Sequence, residues 1–357
     1  MTVYYILVVV PMILSIYAYI DKRDIIRRYA IGSFFLIFLL ILIFRDESIG
    51  CDLVNYHSYF DYWSAYRGFS GLDLLETEIG FAYFSKFISL FTNDFQVYIG
   101  VIAFISVIPF MILYIKKSEN PILSMTLFLS IGVFAIFFSG MRQIIAMSMI
   151  PLIYYYVIKK KRIYFLITVA LATLFHTSAI VLLLMYPVYY MRLTNKWLIP
   201  ILVALTLVFM LRDVIWTNTL SAIGGRYEEM YGDIDDSGAI MMFLLTLLFL
   251  LYSYLIPDTK LLNGDIIGMR NFLILCVFIE SFSGVSNIVM RMNHYYSVFI
   301  PLLIPMISNR SAKGNKVFVE MAVAIMIVFF IYRFFNDAYY GEDIVQIFPY
   351  KSFLTSF

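Results

Sequence analysis

Apolar runs of about 17–25 residues, divided by short clusters of lysine and arginine, recur along almost the whole of this 357-residue chain. A run of that length crosses the hydrocarbon core of a bilayer once as an α-helix, and the core holds no water to satisfy an open backbone. Composition agrees. Apolar residues make up 62% of the chain and charged ones 14%, against roughly a quarter charged in a soluble domain. The expected fold is all-α: a polytopic transmembrane helical bundle forming one integral membrane domain over residues 1–357. The first run, Val3 to Ile20, has no basic lead-in and no small-residue cleavage site, so it reads as a retained helix and not a signal peptide. Cys51 and Cys276 form neither a disulfide framework nor a metal-ligand spacing.

The basic clusters orient the bundle. DKRDIIRR (21–28), IKK (115–117), KKKR (159–162), RLTNK (192–196) and NRSAKGNK (309–316) mark the cytoplasmic side. Helices are predicted near 2–20, 29–44, 95–115, 121–139, 142–158, 163–175, 177–191, 197–211, 240–256, 271–288, 295–308 and 317–335. That gives about 12 spans with both termini outside. So assigned, 17 of the 26 lysines and arginines lie on the cytoplasmic side. The stretch 79–91 is too short to span and suits an interfacial or re-entrant helix. Two long outer loops remain, near 45–94 and 212–239, both rich in Tyr, Trp, Asp and Glu.

Ionisable groups inside a bilayer are costly, so those present usually face a cavity and mark function. Here they gather on the outer side. Arg142 follows a small-residue break in FFSGMRQIIAMSM, with apolar runs on both sides. A guanidinium there can bind an anion at a cavity mouth, with Gln143 adding a neutral hydrogen bond. The competing role is a snorkelling arginine that reaches headgroup phosphates. His176, in LATLFHTSAIVLLLMY, can serve as a base or as a structural histidine at a helix break. Thr177 and Ser178 can cap the helix that follows.

In FRDESIGCDLVNYHSYFDYW, Arg45, Asp46, Asp52 and Asp61 lie among aromatics able to stack on sugar faces. Asp52 or Glu78 can accept a proton from a hydroxyl, although a lone acid in a loop is usually just solvated. The run SGVSNIVMRMNHYY adds Asn287, Arg291, Asn293 and His294 near another outer turn. Arg45, Arg142 and Arg291 together carry the charge needed to hold a diphosphate. Glu280 is expected to pair internally. Asp233, Asp235 and Asp236 read as a solvated turn before a metal site. No P-loop, dinucleotide fingerprint, HExxH or GxSxG is present.

Four segments in this order, RDESIGCDLVNYHSYF, ETEIGFAYFSKF, SGMRQIIAMSM and ALATLFHTSAIVLL, resemble the EpsG family of polytopic membrane proteins. That family is associated with bacterial exopolysaccharide, capsule and O-antigen assembly and includes Wzy-type repeat-unit polymerases. The resemblance runs from the first helix to about Arg291. It gives weight to Arg45, Gly50, Asp52, Tyr56, Glu78, Arg142, Gln143, His176 and Ser178, while Arg226, Tyr227 and Arg291 rest on the physical reading.

The resemblance implies a membrane glycosyltransferase of the GT-C type in the bacterial inner membrane, working at the outer leaflet. A glycan would pass from a polyprenyl diphosphate donor to a lipid-linked repeat-unit acceptor. Arg45, Arg142 and Arg291 would hold the diphosphate, and Asp52, Glu78 or His176 would act as base. Tyr56, Gln143, Ser178, Arg226, Tyr227, Asn287 and His294 would bind sugar or support the site. No cofactor or metal is expected, because the arginines themselves can stabilise the leaving diphosphate. Expected partners are lipid-linked oligosaccharides, membrane lipid, and flippase and chain-length regulator proteins, with no nucleic acid. The rivals are a flippase of the same lipid-linked oligosaccharide, which needs polar residues through the full bilayer depth, and a non-catalytic assembly or acyl-transfer partner.

Overall fold

The chain breaks its helices often, and those breaks decide its architecture. The computed structural model describes residues 2–21, 24–66, 68–69, 77–223, 236–256, 264–282, 285, 287–311, 314, 317, 321, 325, 332 and 346–355. Regular structure among the described residues is helical; the β-type contact there is an isolated antiparallel bridge between Arg45 and Ser352. The chain divides into two units, Met1–Ile180 with Glu320–Phe357, and Val181–Val319.

The first unit opens with an antiparallel pair, α1 (Thr2–Asp21) and α2 (Asp24–Ile43). Two short helices follow, α3 (Leu53–Ala65) and α4 (Ile79–Ser89). At 11 residues α4 spans roughly 16 Å and is too short to cross a bilayer. Then come α5 (Phe95–Lys117), α6 (Pro121–Ser130), α7 (Val133–Ser139), α8 (Met141–Ser148), α9 (Ile150–Ile158) and α10 (Arg162–Phe175). The breaks have local causes. α6 and α7 meet at a 55° bend across Ile131–Gly132. Pro151, in the first turn of α9, removes an amide donor where α8 hands over at Met149.

The second unit holds α11 (Met185–Tyr189), α12 (Leu198–Ile223), α13 (Asp236–Ser253), α14 (Gly264–Glu280), α15 (Asn287–Ser297) and α16 (Ile300–Arg310). α12 continues through Arg212 into the region predicted as an outer loop. Thr217, Asn218 and Thr219 there bond back to the carbonyls four residues earlier at 2.7–2.8 Å, satisfying their polar ends within the helix. The segment predicted as a helix over 177–191 is instead a 3₁₀ stretch, Thr177–Leu184, leading into α11. Most of the predicted helix 317–335 lies outside the described residues, as do Arg226, Tyr227, Asp233 and Asp235.

Among the described residues, four helices are long and apolar enough to cross a membrane: Asp24–Ile43, Phe95–Lys117, Met141–Ile158 and Asn195–Thr219. The bent α6–α7 pair makes a fifth if counted as one span. Large apolar side chains also cover the outside. Ile199 is 74% exposed, Met210 73% and Ile163 71%. Apolar surface on that scale needs lipid around it. The chain is a helical membrane protein.

Lipid is as apolar as leucine, so helices in it associate through close packing. In the first unit that packing is aromatic. Phe34, Phe35 and Phe38 of α2 interlock with Phe128 of α6, Tyr114 of α5, and Phe134 and Phe137 of α7, with ring centroids 5.1–5.9 Å apart. Most of these contacts are edge-to-face, the arrangement favoured by ring quadrupoles.

The two ends of this unit differ in kind. At one, Arg27 pairs with Asp24 and donates to the Ser118 carbonyl, beside the Lys116 and Lys117 end of α5. Asn120 caps α6 there, accepting from the Leu123 amide at 3.2 Å. At the other, Gln96 at the start of α5 donates to the Ile43 and Arg45 carbonyls, and Tyr4 donates to Ile347 at 2.6 Å. Basic residues mark the first end, and the polar residues singled out from sequence mark the second.

This sidedness is testable with an impermeant maleimide on sealed vesicles. Cys51 is exposed and Cys276 buried, so native labelling falls on Cys51 from one side. In a Cys51→Ser background, Thr92→Cys is expected to label from that same side and Lys117→Cys only from the opposite one. Labelling of both from one side would refute the assignment of the two ends of α5.

Candidate functional site

Arg142 stands in the first turn of α8, two residues past the Gly140 break. The positive end of a helix dipole disfavours a cation there, so the position needs a carboxylate. Glu78 supplies it. Arg142 Nη1 donates to Glu78 Oε2 at 2.6 Å, and Arg142 Nε donates to the Tyr56 hydroxyl at 3.4 Å. His176 binds the other oxygen of the same carboxylate, with Nδ1 and Glu78 Oε1 2.7 Å apart. The Thr177 amide donates to that oxygen at 3.4 Å. One carboxylate thus holds an arginine on one side and a histidine on the other. Side-chain exposures of 29% for Arg142, 15% for Glu78 and 14% for His176 leave the array partly open to a ligand.

Chain breaks position all three groups. Glu78 precedes α4 in an extended conformation, and its side chain caps nothing in α4 because it turns toward Arg142 and His176. His176 is extended as well (φ −156°, ψ 119°), ending α10 so that its ring leaves the helix surface. What lets α4 reach the end of α10 is Gly80. A Cβ on that residue would lie 2.6 Å from the Leu174 carbonyl oxygen, inside contact distance of rigid backbone. The sequence reading passed over Gly80; its signal is the glycine two residues after Glu78 in ETEIGF.

The electrostatics define the role of Glu78. Burial alone would raise its carboxyl, but the His176 hydrogen bond and the charges of Arg142 and His176 outweigh it and hold the group at about 2. Glu78 is therefore a fixed anion at neutral pH and a poor proton acceptor, since an effective base titrates near the working pH. Its bond to Nδ1 sets the imidazole so that Nε2 carries the free lone pair whenever the ring is neutral. Among the described residues Nε2 meets no hydrogen-bond partner. Tyr56 is buried, which raises its phenol, and its ring packs edge-on against Phe81 at 5.5 Å.

The other expected residues are placed differently. Arg45 is 2% exposed and spends its guanidinium on backbone. Nη1 donates to the Phe138 carbonyl at 2.7 Å and to that of Phe137 at 3.3 Å. Burial pushes it down to about 10, so it stays charged at neutral pH. Asp52 opens α3 without capping it, and Gln143 is buried within α8. Ser178 is half-buried in the 3₁₀ stretch. His57 stacks on Phe95 at 4.2 Å with Nδ1 2.5 Å from Glu47. Asn287, Arg291 and His294 lie on α15 of the second unit, where Arg291 is exposed and His294 half-buried. The side chain of Asn287 lies outside the described set. The three arginines expected at a diphosphate are thus one partly open, one buried against backbone, and one carried by the other unit. On α15, Asn293 donates to the buried Glu280.

Among the described residues no three His, Cys, Asp or Glu side chains converge as a metal-binding set. Two further buried cations escaped the sequence reading. Lys86 of α4 donates to the Trp63 and Tyr66 carbonyls at the end of α3. Arg270 of α14 donates to Asn195 and the Leu193 carbonyl, under the Tyr254 ring.

A match to the EpsG family spans residues 28–352, taking in Arg45, Tyr56, Glu78, Arg142 and His176. The chain belongs to the EpsG family. Comparison with curated proteins and with solved structures found no match.

Two measurements check this geometry. Gly80→Ala is expected to push α4 off α10 and cost about tenfold or more in activity, while stability falls by only about 1–3 kcal/mol; unchanged activity would refute the close approach. The second is a pH series. Because the Glu78 carboxyl lies below its ordinary 4.5, its stabilisation is complete above about pH 4.5 and is lost as pH falls towards about 2. The thermal-stability advantage of wild type over Glu78→Gln should shrink as pH falls across that window.

Proposed function

We propose that this EpsG-family protein is a polysaccharide repeat-unit polymerase, transferring a glycan from a polyprenyl diphosphate donor to a lipid-linked repeat unit. The observation that carries the reading is the Glu78 carboxylate shared between His176 and Arg142. It sets a proton acceptor and an anion-binding cation side by side, the two functions a glycosyl diphosphate transfer requires.

In this mechanism His176 Nε2 takes the proton of the acceptor hydroxyl as its oxygen attacks the anomeric carbon. The carbon–oxygen bond to the diphosphate breaks, and its electron pair leaves with the polyprenyl diphosphate. Arg142 meets the developing negative charge; among the described residues its Nη2 donates to no protein group. Glu78 remains ionised and stabilises the imidazolium that forms. A single displacement of this kind inverts the anomeric centre.

Sugar stacking falls to the half-buried Tyr59 of α3, whose ring lies 6.3 Å from Tyr56. Asp52 adds a second carboxylate near Tyr56. On this reading the fold is GT-C-like with about 12 spans, in the bacterial inner membrane. The site then faces outward, in keeping with its position at the end of the first unit opposite the basic clusters. Flippase and chain-length regulator proteins are the expected partners.

The test is a cell lacking the protein, complemented with variants, with lipid-linked glycans resolved by length. Deletion is expected to leave single repeat units accumulating on the outer face. His176→Ala should lower polymer formation by about 10²–10⁴-fold, the usual worth of a general base, and Arg142→Ala should lower it by about 10²–10³-fold at normal protein level, the usual worth of one charge-stabilising donor. Normal ladders from both variants would overturn the assignment. Repeat units stranded on the cytoplasmic face in the deletion strain would instead show a flippase.

A further inference from the structure

Arg142 owes its place to a break, and the break is held from outside. α7 ends at Ser139 and α8 begins at Met141, so the Phe137 and Phe138 carbonyls lose the amide donors that a continuing helix would provide. Arg45 replaces those donors with its guanidinium. Gly50 closes on the same carbonyl. Its φ of +114° suits glycine, and a Cβ there would fall 2.0 Å from Phe138 O.

The loop that carries Arg45 and Gly50 is itself tied down by the last described segment of the chain, Gln346–Thr355. Gly50 N donates to Gln346 O at 3.0 Å, Asp46 N to Lys351 O at 3.0 Å, and Phe353 N to Phe44 O at 3.1 Å. Arg45 and Ser352 form the isolated bridge. The strap is anchored on two helices as well. Tyr4 of α1 donates to Ile347 O at 2.6 Å, Tyr350 donates to Ile41 O of α2 at 2.9 Å, and Phe353 stacks on Phe44 with planes 3° apart.

We propose that Arg45 and the strap Gln346–Thr355 are positioning elements for Arg142, fixing the α7–α8 break so that its guanidinium stands against Glu78. Arg45 therefore acts on the reaction through Arg142 and does not touch the diphosphate. The inference rests on the reading that Arg142 serves the transfer reaction, and the experiment separates the two.

The frame is tested by hydrogen exchange of the peptide 137–149, using the full-length protein in lipid nanodiscs. The variants are Arg45→Ala, the paired Tyr350→Phe/Phe353→Ala, and a chain stopped after Val345. Faster exchange in 137–149, with 95–117 unchanged, is expected in all three. The consequence is tested by a double-mutant cycle on glycan polymerisation. Arg45→Ala and Tyr350→Phe/Phe353→Ala should each reduce turnover about tenfold or more in an otherwise wild-type protein. In an Arg142→Ala background each should change it by less than about twofold, because the group they position is gone.

Losses that multiply in the double mutants would show that Arg45 contacts substrate independently, and would overturn the proposal. Unchanged exchange would overturn the frame itself. If Arg45→Ala reduces the amount of folded protein, the strap variants, which keep the guanidinium, decide the matter. An Arg142→Ala protein with normal polymerisation would sink the function reading and leave the exchange result standing.

Discussion

A single carboxylate organises the candidate site. Glu78 is the point at which three separate chain breaks meet: the entry to α4, the Gly140 break before α8, and the end of α10 at His176. Each break strips backbone of its helical partners, which in a bilayer demands compensation. The carboxylate supplies part of it by accepting from Arg142, His176 and the Thr177 amide. Removing the anion would leave a partly buried arginine at a helix N-terminus without a counter-charge, an arrangement that burial and the helix dipole both disfavour.

The same physics recurs with the sign reversed. Three nearly inaccessible cations, Arg45, Lys86 and Arg270, donate to carbonyls: Arg45 at the end of α7, Lys86 at the end of α3, and Arg270 in the turn before α12. A helix C-terminus exposes acceptors and carries partial negative charge, so a basic side chain satisfies it in two ways. Charges in this chain that look out of place in an apolar sequence therefore divide into two sets. One satisfies backbone carbonyls at helix ends and in a turn. The other, Arg142 with Glu78 and His176, stays partly open.

Sequence alone could not make that division. That the chain is helical and built for a membrane was legible, because the length of an apolar run is a linear property of the chain. Arg142, Glu78 and His176 were each legible as candidates. Their meeting was not, since the pairs lie 64 and 98 residues apart and their geometry depends on how α4 packs on α10. Arg45 shows the limit most plainly. An arginine after an apolar run reads alike whether it faces a phosphate or a carbonyl, and only burial separates the two. The breaks themselves were partly readable at SGM and at Pro151. The 3₁₀ course of Thr177–Leu184 was not, because its composition is that of an ordinary apolar helix.

The strap also has a consequence for the order in which the molecule is made. Tyr350 reaches back 309 residues to Ile41, and Tyr4 meets Ile347 across 343. At about 5–20 residues per second, synthesis separates Ile41 from Tyr350 by about 15–60 s. Throughout that interval α2 and the loop behind it wait in the membrane without the segment that ties them. The first unit is thus sealed by residues made more than 300 positions after those they hold, and a nascent chain carries every side chain of the array long before it carries the brace.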